Sequence, residues 1–389
     1  MSIIDRIAEL QPEITAWRRD LHQHPELLYD VHRTAAFVAE KLKAFGCDEV
    51  VEGIGRTGVV GVIKGKKGQG KGAVIGLRAD MDALPIEEQT NLPYASKTPG
   101  KMHACGHDGH TSMLLGAAQY LAETRNFAGD AVVIFQPAEE GGAGADAMIK
   151  DGLMDRFGIQ KVYGMHNNPG MPIGSFSMRT GPIMAAMDRI SITIEGVGGH
   201  AAYPHKTIDP VLAGSQLIVA FQSIVSRTVS PLDSAVISIC EFHAGHASNV
   251  IPASAELRGT VRTLRKDVRD LVEKRMNEVC AGIALQTGAR IALNYDRGYP
   301  VVVNHPAETE LAAKIASEVG GASNVATDME PVMGAEDFAY MLEARPGAFI
   351  FMGNGDSAGL HHPAYNFNDD AIVYGSSYWV KLVETSLAA

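Results

Sequence analysis

The residues of this chain best suited to chemistry are five side chains of metal-ligating type, scattered over four stretches marked by glycine or proline. Cys105 and His107 stand in His103-Ala-Cys-Gly-His-Asp-Gly-His110, and Glu140 in Gln136-Pro-Ala-Glu-Glu-Gly-Gly142. His166 lies in Tyr163-Gly-Met-His-Asn167, and His361 in Leu360-His-His-Pro363. Structural zinc sites draw their ligands from compact spacings. Donors taken from distant stretches point instead to an active site assembled by the fold, of the kind a metal-dependent hydrolase uses.

Each segment also has an ordinary explanation. In an extended loop, residues two apart face the same side, so the Cys105 thiolate and His107 imidazole can converge on one ion. Gly106 permits unusual backbone angles, and Gly109 leaves room before a helix marked by Met113, Leu114 and Leu121, whose N-terminal partial charge favours a thiolate. Taken alone, the segment reads equally well as a buried cysteine beside helix-capping residues; the other segments tip it towards metal. Two adjacent glutamates are usually solvated surface. Between the apolar run Val132–Phe135 and Gly141-Gly142, Glu139 and Glu140 suit a different division, one carboxylate on metal and one taking a proton from water. His166 and His361 are weak signals singly, with His110 and His362 as competitors that could orient ligands instead. Asp80 and Asp82 are candidates to support the site in a way the sequence does not specify. Further along, His200 in Gly198-Gly-His-Ala-Ala-Tyr-Pro-His205, Asn249 in Asn249-Val-Ile-Pro252, and Arg262 offer groups suited to an anionic substrate end; a charged residue alternating along a strand, as Arg262 does, commonly faces water.

Positioning these groups requires an α/β framework. Ile3, Ile7, Leu10, Ile14, Trp17 and Leu21 recur at helical spacing, predicting a helix from Ser2 to about Leu21, and a second helix runs from about Thr34 to Gly46. Short apolar strands are expected at Val59–Ile63, Ala73–Leu77, Val132–Phe135, Val162–Met165 and Phe349–Met352, their continuous apolar character indicating a sheet covered on both faces. The polar clusters follow those strands, where open α/β sheets place their sites. Between about 186 and 300 the pattern changes to β-α-β-β-α-β. Strands are expected near Ile190–Glu195, Ala235–Ile239, Ala255–Leu264 and Ile291–Tyr295, with helices from Asp209-Pro210 and from Asp267 to Leu285. This is the order of a split, ferredoxin-like unit. The expected organisation is therefore a metal-binding catalytic domain of residues 1–185 and 301–389 with residues 186–300 inserted.

The totals agree. A length of 389 residues favours two domains. A formal charge of −11 argues against nucleic-acid or anionic-membrane partners. Four cysteines without paired spacing suit reduced thiols. The N-terminus has neither a basic start nor a long apolar run, and no stretch is long enough to span a bilayer, so the expectation is a cytoplasmic protein.

Six segments together resemble the aminoacylase and hippurate hydrolase family, which includes the plant indole-acetyl-amino-acid hydrolases and is more distantly similar to carboxypeptidase G. They are Ala79-Asp-Met-Asp-Ala-Leu-Pro85, Ala104-Cys-Gly-His-Asp-Gly-His110, Gln136-Pro-Ala-Glu-Glu-Gly-Gly142, Gly199-His-Ala-Ala-Tyr-Pro204, Asn249-Val-Ile-Pro252 and Leu360-His-His-Pro363. The resemblance runs from Arg18-Arg-Asp-Leu-His22 to the C-terminal helix. It implies a zinc-peptidase-like α/β catalytic domain, a central mixed sheet flanked by helices, with an inserted ferredoxin-like dimerisation or lid domain. It also implies a homodimer or higher homo-oligomer that hydrolyses N-acyl-L-amino acids with two divalent metal ions per subunit. Carried over by motif, Cys105, His107, Glu140, His166 and His361 become the ligands and Glu139 the general base. His200 polarises the carbonyl oxygen across a dimer, and Asn249 and Arg262 hold the amino-acid carboxylate. Distant members of the wider superfamily carry His-x-Asp where this chain has Asp80-Met-Asp82, and an aspartate where it has Cys-Gly-His. The thiolate leaves zinc, manganese, cobalt and nickel open, zinc and manganese first. The rival readings are a dipeptidase or carboxypeptidase on the same fold, a thiol hydrolase using Cys105 with His107, and a metal-holding binding protein without catalysis.

Overall fold

The structure is a computed structural model describing residues 3–66 and 72–388. The chain divides into two compact units, one built from residues up to Gly181, Val303–Glu330 and the chain from Asp337 onward, the other from Pro182–Val302 and Pro331–Glu336.

The first unit opens with α1 (Asp5–Gln23) and α2 (His32–Ala44). Ile7, Leu10, Ile14, Trp17 and Leu21 form the buried stripe of α1, as their spacing predicts; the expected start at Ser2 lies outside the described residues. Then come β1 (Glu49–Ile54), β2 (Gly58–Lys64), β3 (Val74–Asp80), α3 (His107–Thr124), β4 (Asp130–Gln136), β5 (Lys161–Asn168) and the two-residue β6 (Phe176–Ser177). The chain next builds the second unit from β7 (Ala186–Glu195), β8 (Gly199–His200), α4 (Pro210–Arg227), β9 (Ala235–Ala244), β10 (Val250–Ile251), β11 (Ser254–Thr263), α5 (Lys266–Thr287) and β12 (Arg290–Arg297). It returns to the first through α6 (Pro306–Gly320), β13 (Val325–Ala326), β14 (Gly347–Gly353) and α7 (Ile372–Ser386).

The first unit's sheet runs β1-β2-β4-β3-β5-β14-β6-β13. Its centre, β4-β3-β5-β14, is parallel, while β1, β2 and β6 pair antiparallel with their neighbours β2, β4 and β14. The sheet is therefore mixed. Its central strands are buried along nearly their whole length, which is why they read as unbroken apolar runs. Parallel alignment sends the C-terminal ends of β3, β4, β5 and β14 to one edge, and the candidate site residues follow those ends.

In the second unit, four antiparallel strands run β9-β11-β7-β12. Strand β7 alternates buried Ile190, Ile192 and Ile194 with outward polar residues. Leu217, Phe221 and Ile224 of α4 and Val272 and Met276 of α5 join those isoleucines in one apolar core. Asp209 caps α4 by accepting from Val211 N at 2.8 Å and Leu212 N at 3.3 Å, with Pro210 beginning the helix.

Candidate active site

Gly106 sets the local geometry of the Cys-Gly-His segment. Its φ of 91° puts it in the left-handed region, and α3 begins at the next residue. Cys105 and His107 are thus brought to one side by a left-handed turn into a helix, not by the extended loop the spacing suggested; a residue with a Cβ resists that turn. Gly109 sits where a Cβ would meet the Phe367 ring, so the helix start packs closely.

The structure gathers all five sequence-chosen donors. Ligand atoms of Cys105, His107 and His166 lie within 4.8 Å of one another, as do those of Cys105, Glu140 and His361. A third group, His107, Glu139 and Glu140, meets the same limit. Cys105 Sγ is 3.3 Å from His166 Nε2, and His361 Nε2 is 3.3 Å from Glu140 Oε1. Each buried imidazole has its far nitrogen committed: His107 Nδ1 donates to Asp82 O at 2.8 Å and His166 Nδ1 to Asn167 O at 2.7 Å. These bonds hold the ring orientations and point both Nε2 atoms inward.

The electrostatics suit a cation. Burial pushes the Cys105 thiol well above its ordinary range, and the Glu140, Glu139 and Asp80 charges push the same way. Burial alone would lower His107, but Asp80, Asp82 and Glu140 together raise it to about 10. Burial lowers His166 far below its usual value, keeping it neutral. Glu140 would be raised by burial, but His361 and His107 hold it down. His107 Nε2 is buried without a hydrogen-bond partner and stands 3.9 Å from Glu140 Oε1. An unpartnered imidazole nitrogen facing carboxylates in a buried place is what a divalent ion satisfies, so the residues present fit one. The two triads sharing the Cys105 thiolate fit two.

The supporting groups become legible here. The Asp82 carboxylate accepts from Glu139 N at 2.9 Å and Glu140 N at 3.1 Å, gripping the turn that carries both glutamates. Asp80 is held well below the carboxylate range; burial opposes this, but His107, Arg78 and His110 outweigh it. Asp80, His107 and His110 also approach one another as ligands would. His110, however, spends Nδ1 on Asp80 Oδ1 at 2.7 Å and Nε2 on the Asn167 N–H at 3.0 Å, so it orients Asp80 and has no lone pair left for an ion. His362 accepts from Ala364 N at 3.0 Å in an exposed turn. Asn167 was missed by sequence reasoning. Its amide donates to Cys105 O at 2.6 Å and its oxygen accepts from the Tyr365 hydroxyl at 2.8 Å; the only signal was its place after His166. Also unforeseen is the buried network of Arg18, His22, Asp108 and Asp369, which ties α1 to the first turn of α3.

In the second unit, β8 pairs with β10, Val250 lies opposite His200, and Asn249 O accepts from Ala201 N at 3.0 Å. His200 and Asn249 are thus neighbours on an exposed face. His200 Nδ1 accepts from Ala202 N at 3.1 Å, which leaves its Nε2 carrying the proton. Arg262 is half-buried towards the end of β11, opposite Val236, away from the Asn249 end of that strand.

A buried thiol, imidazole and carboxylate cluster at the C-terminal ends of the parallel strands of a mixed sheet defines a metal-dependent hydrolase. The chain belongs to peptidase family M20/M25/M40, whose pattern matches residues 76–385. It is 46% identical to a hippurate hydrolase of Campylobacter jejuni over 98% of both chains. It is 43% identical to an N-acetyl-L-cysteine deacetylase of Bacillus subtilis, covering 96% of this chain and 88% of that one. A solved Bacillus subtilis structure described as a dinuclear metal-binding peptidase of the M20 family superposes with a TM-score of 0.85 at 37% identity, covering 98% and 99% of the two chains.

Proposed function

We propose that this protein hydrolyses the amide bond of N-acyl-L-amino acids, releasing a carboxylic acid and a free amino acid, with two divalent metal ions per subunit. The observation that carries the reading is Glu139. It stands beside two complete donor triads that do not need it, and its backbone is fixed by Asp82. The names of the similar hippurate hydrolase and N-acetyl-L-cysteine deacetylase support the same substrate class.

Cys105, His107, Glu140, His166 and His361 hold the metal, which when bound polarises a carbonyl and acidifies water. Glu139 takes the proton from the attacking water and returns it to the leaving amine nitrogen, a task worth about 10²–10⁴-fold. Asp82 keeps Glu139 and Glu140 in register. The Nε2–H of His200 is suited to donating to the carbonyl oxygen as negative charge develops there. Asn249 and Arg262 receive the amino-acid carboxylate. The separation of Arg262 from the Asn249 end of β11 favours their serving one site from two subunits, with His200 reaching a partner's substrate in a homodimer. The thiolate favours zinc, with manganese next. Four unpaired cysteines favour a cytoplasmic setting. No helix of the described residues is long and apolar enough to cross a membrane.

The test is hydrolysis of N-benzoylglycine, a panel of N-acetyl-amino acids and free dipeptides, before chelation, after it, and after adding back Zn²⁺ or Mn²⁺. Acyl-amino-acid cleavage lost to chelator and restored by metal is expected. Cleavage of dipeptides alone by the loaded protein would overturn the reading in favour of a dipeptidase.

A further inference from the structure

Leu28 combines two properties that a residue kept only for folding avoids. Its backbone sits in the left-handed region at φ 50°, which a leucine adopts at a cost, and the residue is 40% exposed. Glycine would suit the backbone and a polar residue the solvent. Leucine suits neither, and strain retained at an exposed apolar residue is a mark of function.

Its position is fixed relative to the glutamates. Glu26 O accepts from Ala83 N at 2.8 Å, one residue beyond Asp82. Leu28 O accepts from Ala138 N at 3.1 Å, one residue before Glu139. The Tyr29 hydroxyl donates to Gly142 O at 2.7 Å, just past Glu140. The segment Glu26–Tyr29 is therefore stitched to both sides of the turn that carries Glu139 and Glu140. A second open leucine, Leu360, is 37% exposed and precedes His361, whose imidazole meets Glu140. Two exposed leucines thus lie next to the donor-bearing segments, Leu28 bonded through its backbone to Ala138 just before Glu139 and Leu360 preceding His361. The amino-acid end of an N-acyl substrate calls for charged and polar partners. The part that gains from bare hydrocarbon is the acyl group.

We propose that Leu28, with Leu360, forms an apolar wall for the acyl group and selects aromatic or other bulky apolar acyl groups over acetyl. This rests on the amidohydrolase reading above and deepens it. The test compares kcat/KM for N-benzoylglycine and N-acetylglycine in the metal-loaded protein and in Leu28→Gly and Leu28→Asn, with the thermal midpoint of each. Both replacements tolerate the left-handed backbone. The expected result is a benzoyl-to-acetyl ratio lowered about tenfold, in the range that small changes in a hydrophobic pocket produce, with a midpoint equal to or above that of the parent. An unchanged ratio with both substrates cleaved overturns the role of Leu28 and leaves the reaction class standing. A midpoint several degrees lower for both variants shows a packing residue and also overturns it. Cleavage of neither substrate by the unsubstituted protein overturns the reaction class and this inference with it.

Discussion

Replacing Gly106 by alanine tests whether the metal site depends on one close approach. The new methyl group would stand against Asn167 Nδ2 and 2.5 Å from the Tyr365 hydroxyl oxygen. Asn167 would have to move, stretching its bonds to Cys105 O and to Tyr365. A left-handed alanine costs about 1–2 kcal/mol, and leaving one buried polar group unsatisfied costs about 1–3 kcal/mol. Together these predict about 2–5 kcal/mol of lost stability. Because Cys105 and His107 flank the change, metal affinity is expected to fall about 10–100-fold, the usual effect of disturbing groups that orient ligands. Urea unfolding of the metal-free protein gives the first quantity, and metal content after dialysis against a competing chelator gives the second. The clash predicts non-additivity as well: Asn167→Ala removes the obstructed side chain, so the double variant should cost less than the sum of the two singles. Parental unfolding and full metal retention in Gly106→Ala, or strict additivity, would refute the argument.

Other expectations follow from the same geometry. Glu139→Gln should keep its metal, measured by elemental analysis, while kcat drops about 10²–10⁴-fold; loss of metal instead would make Glu139 a ligand. Asp82→Ala removes the acceptor for two backbone N–H groups and should weaken metal retention about 10–100-fold, read by chelator titration; unchanged retention would show the turn holds itself. His22 is buried, which alone would lower its pKa, but its bonds to Asp108 and Glu88 raise it to about 9. A folded value above the unfolded one stabilises fully below about pH 6.5 and loses its contribution as pH rises to about 9, an effect of about 3 kcal/mol. Urea midpoints should fall across that window in the parent and fall less in His22→Gln; parallel profiles would contradict the assignment.

The sequence made the buried half of the fold easy to see. Strands β2, β3, β4, β5 and β14 are covered on both faces, so each prints an apolar run, and each expected strand overlaps the observed one, whose ends lie up to three residues away. Strand β1 escaped because it is a partly exposed edge carrying Glu49, Glu52 and Gly53, which leaves no run to find. Helix α6 did carry a signal, Pro306 at its start and Ala312, Ile315, Ala316 and Val319 on its buried side, which reading for chemistry passed over. The clustering of the candidate donors was legible because cysteine, histidine and paired glutamate in glycine-marked segments are uncommon company. What holds them was not. Asp82 and Asn167 act through backbone N–H and C=O groups of distant segments, and such partners leave no spacing in the sequence.

The placement of β14 in the middle of the sheet has a consequence for synthesis. On a chain leaving the ribosome, β5 and β6 are made long before the strand that separates them, and His361 emerges only after that strand. Cys105 and His166 must wait through the making of the whole second unit for their last partner. Metal therefore cannot template early folding here, as it does in small zinc domains. It enters a scaffold whose second unit and central strands are already made, so a cell starved of metal should accumulate folded, idle protein rather than unfolded chains.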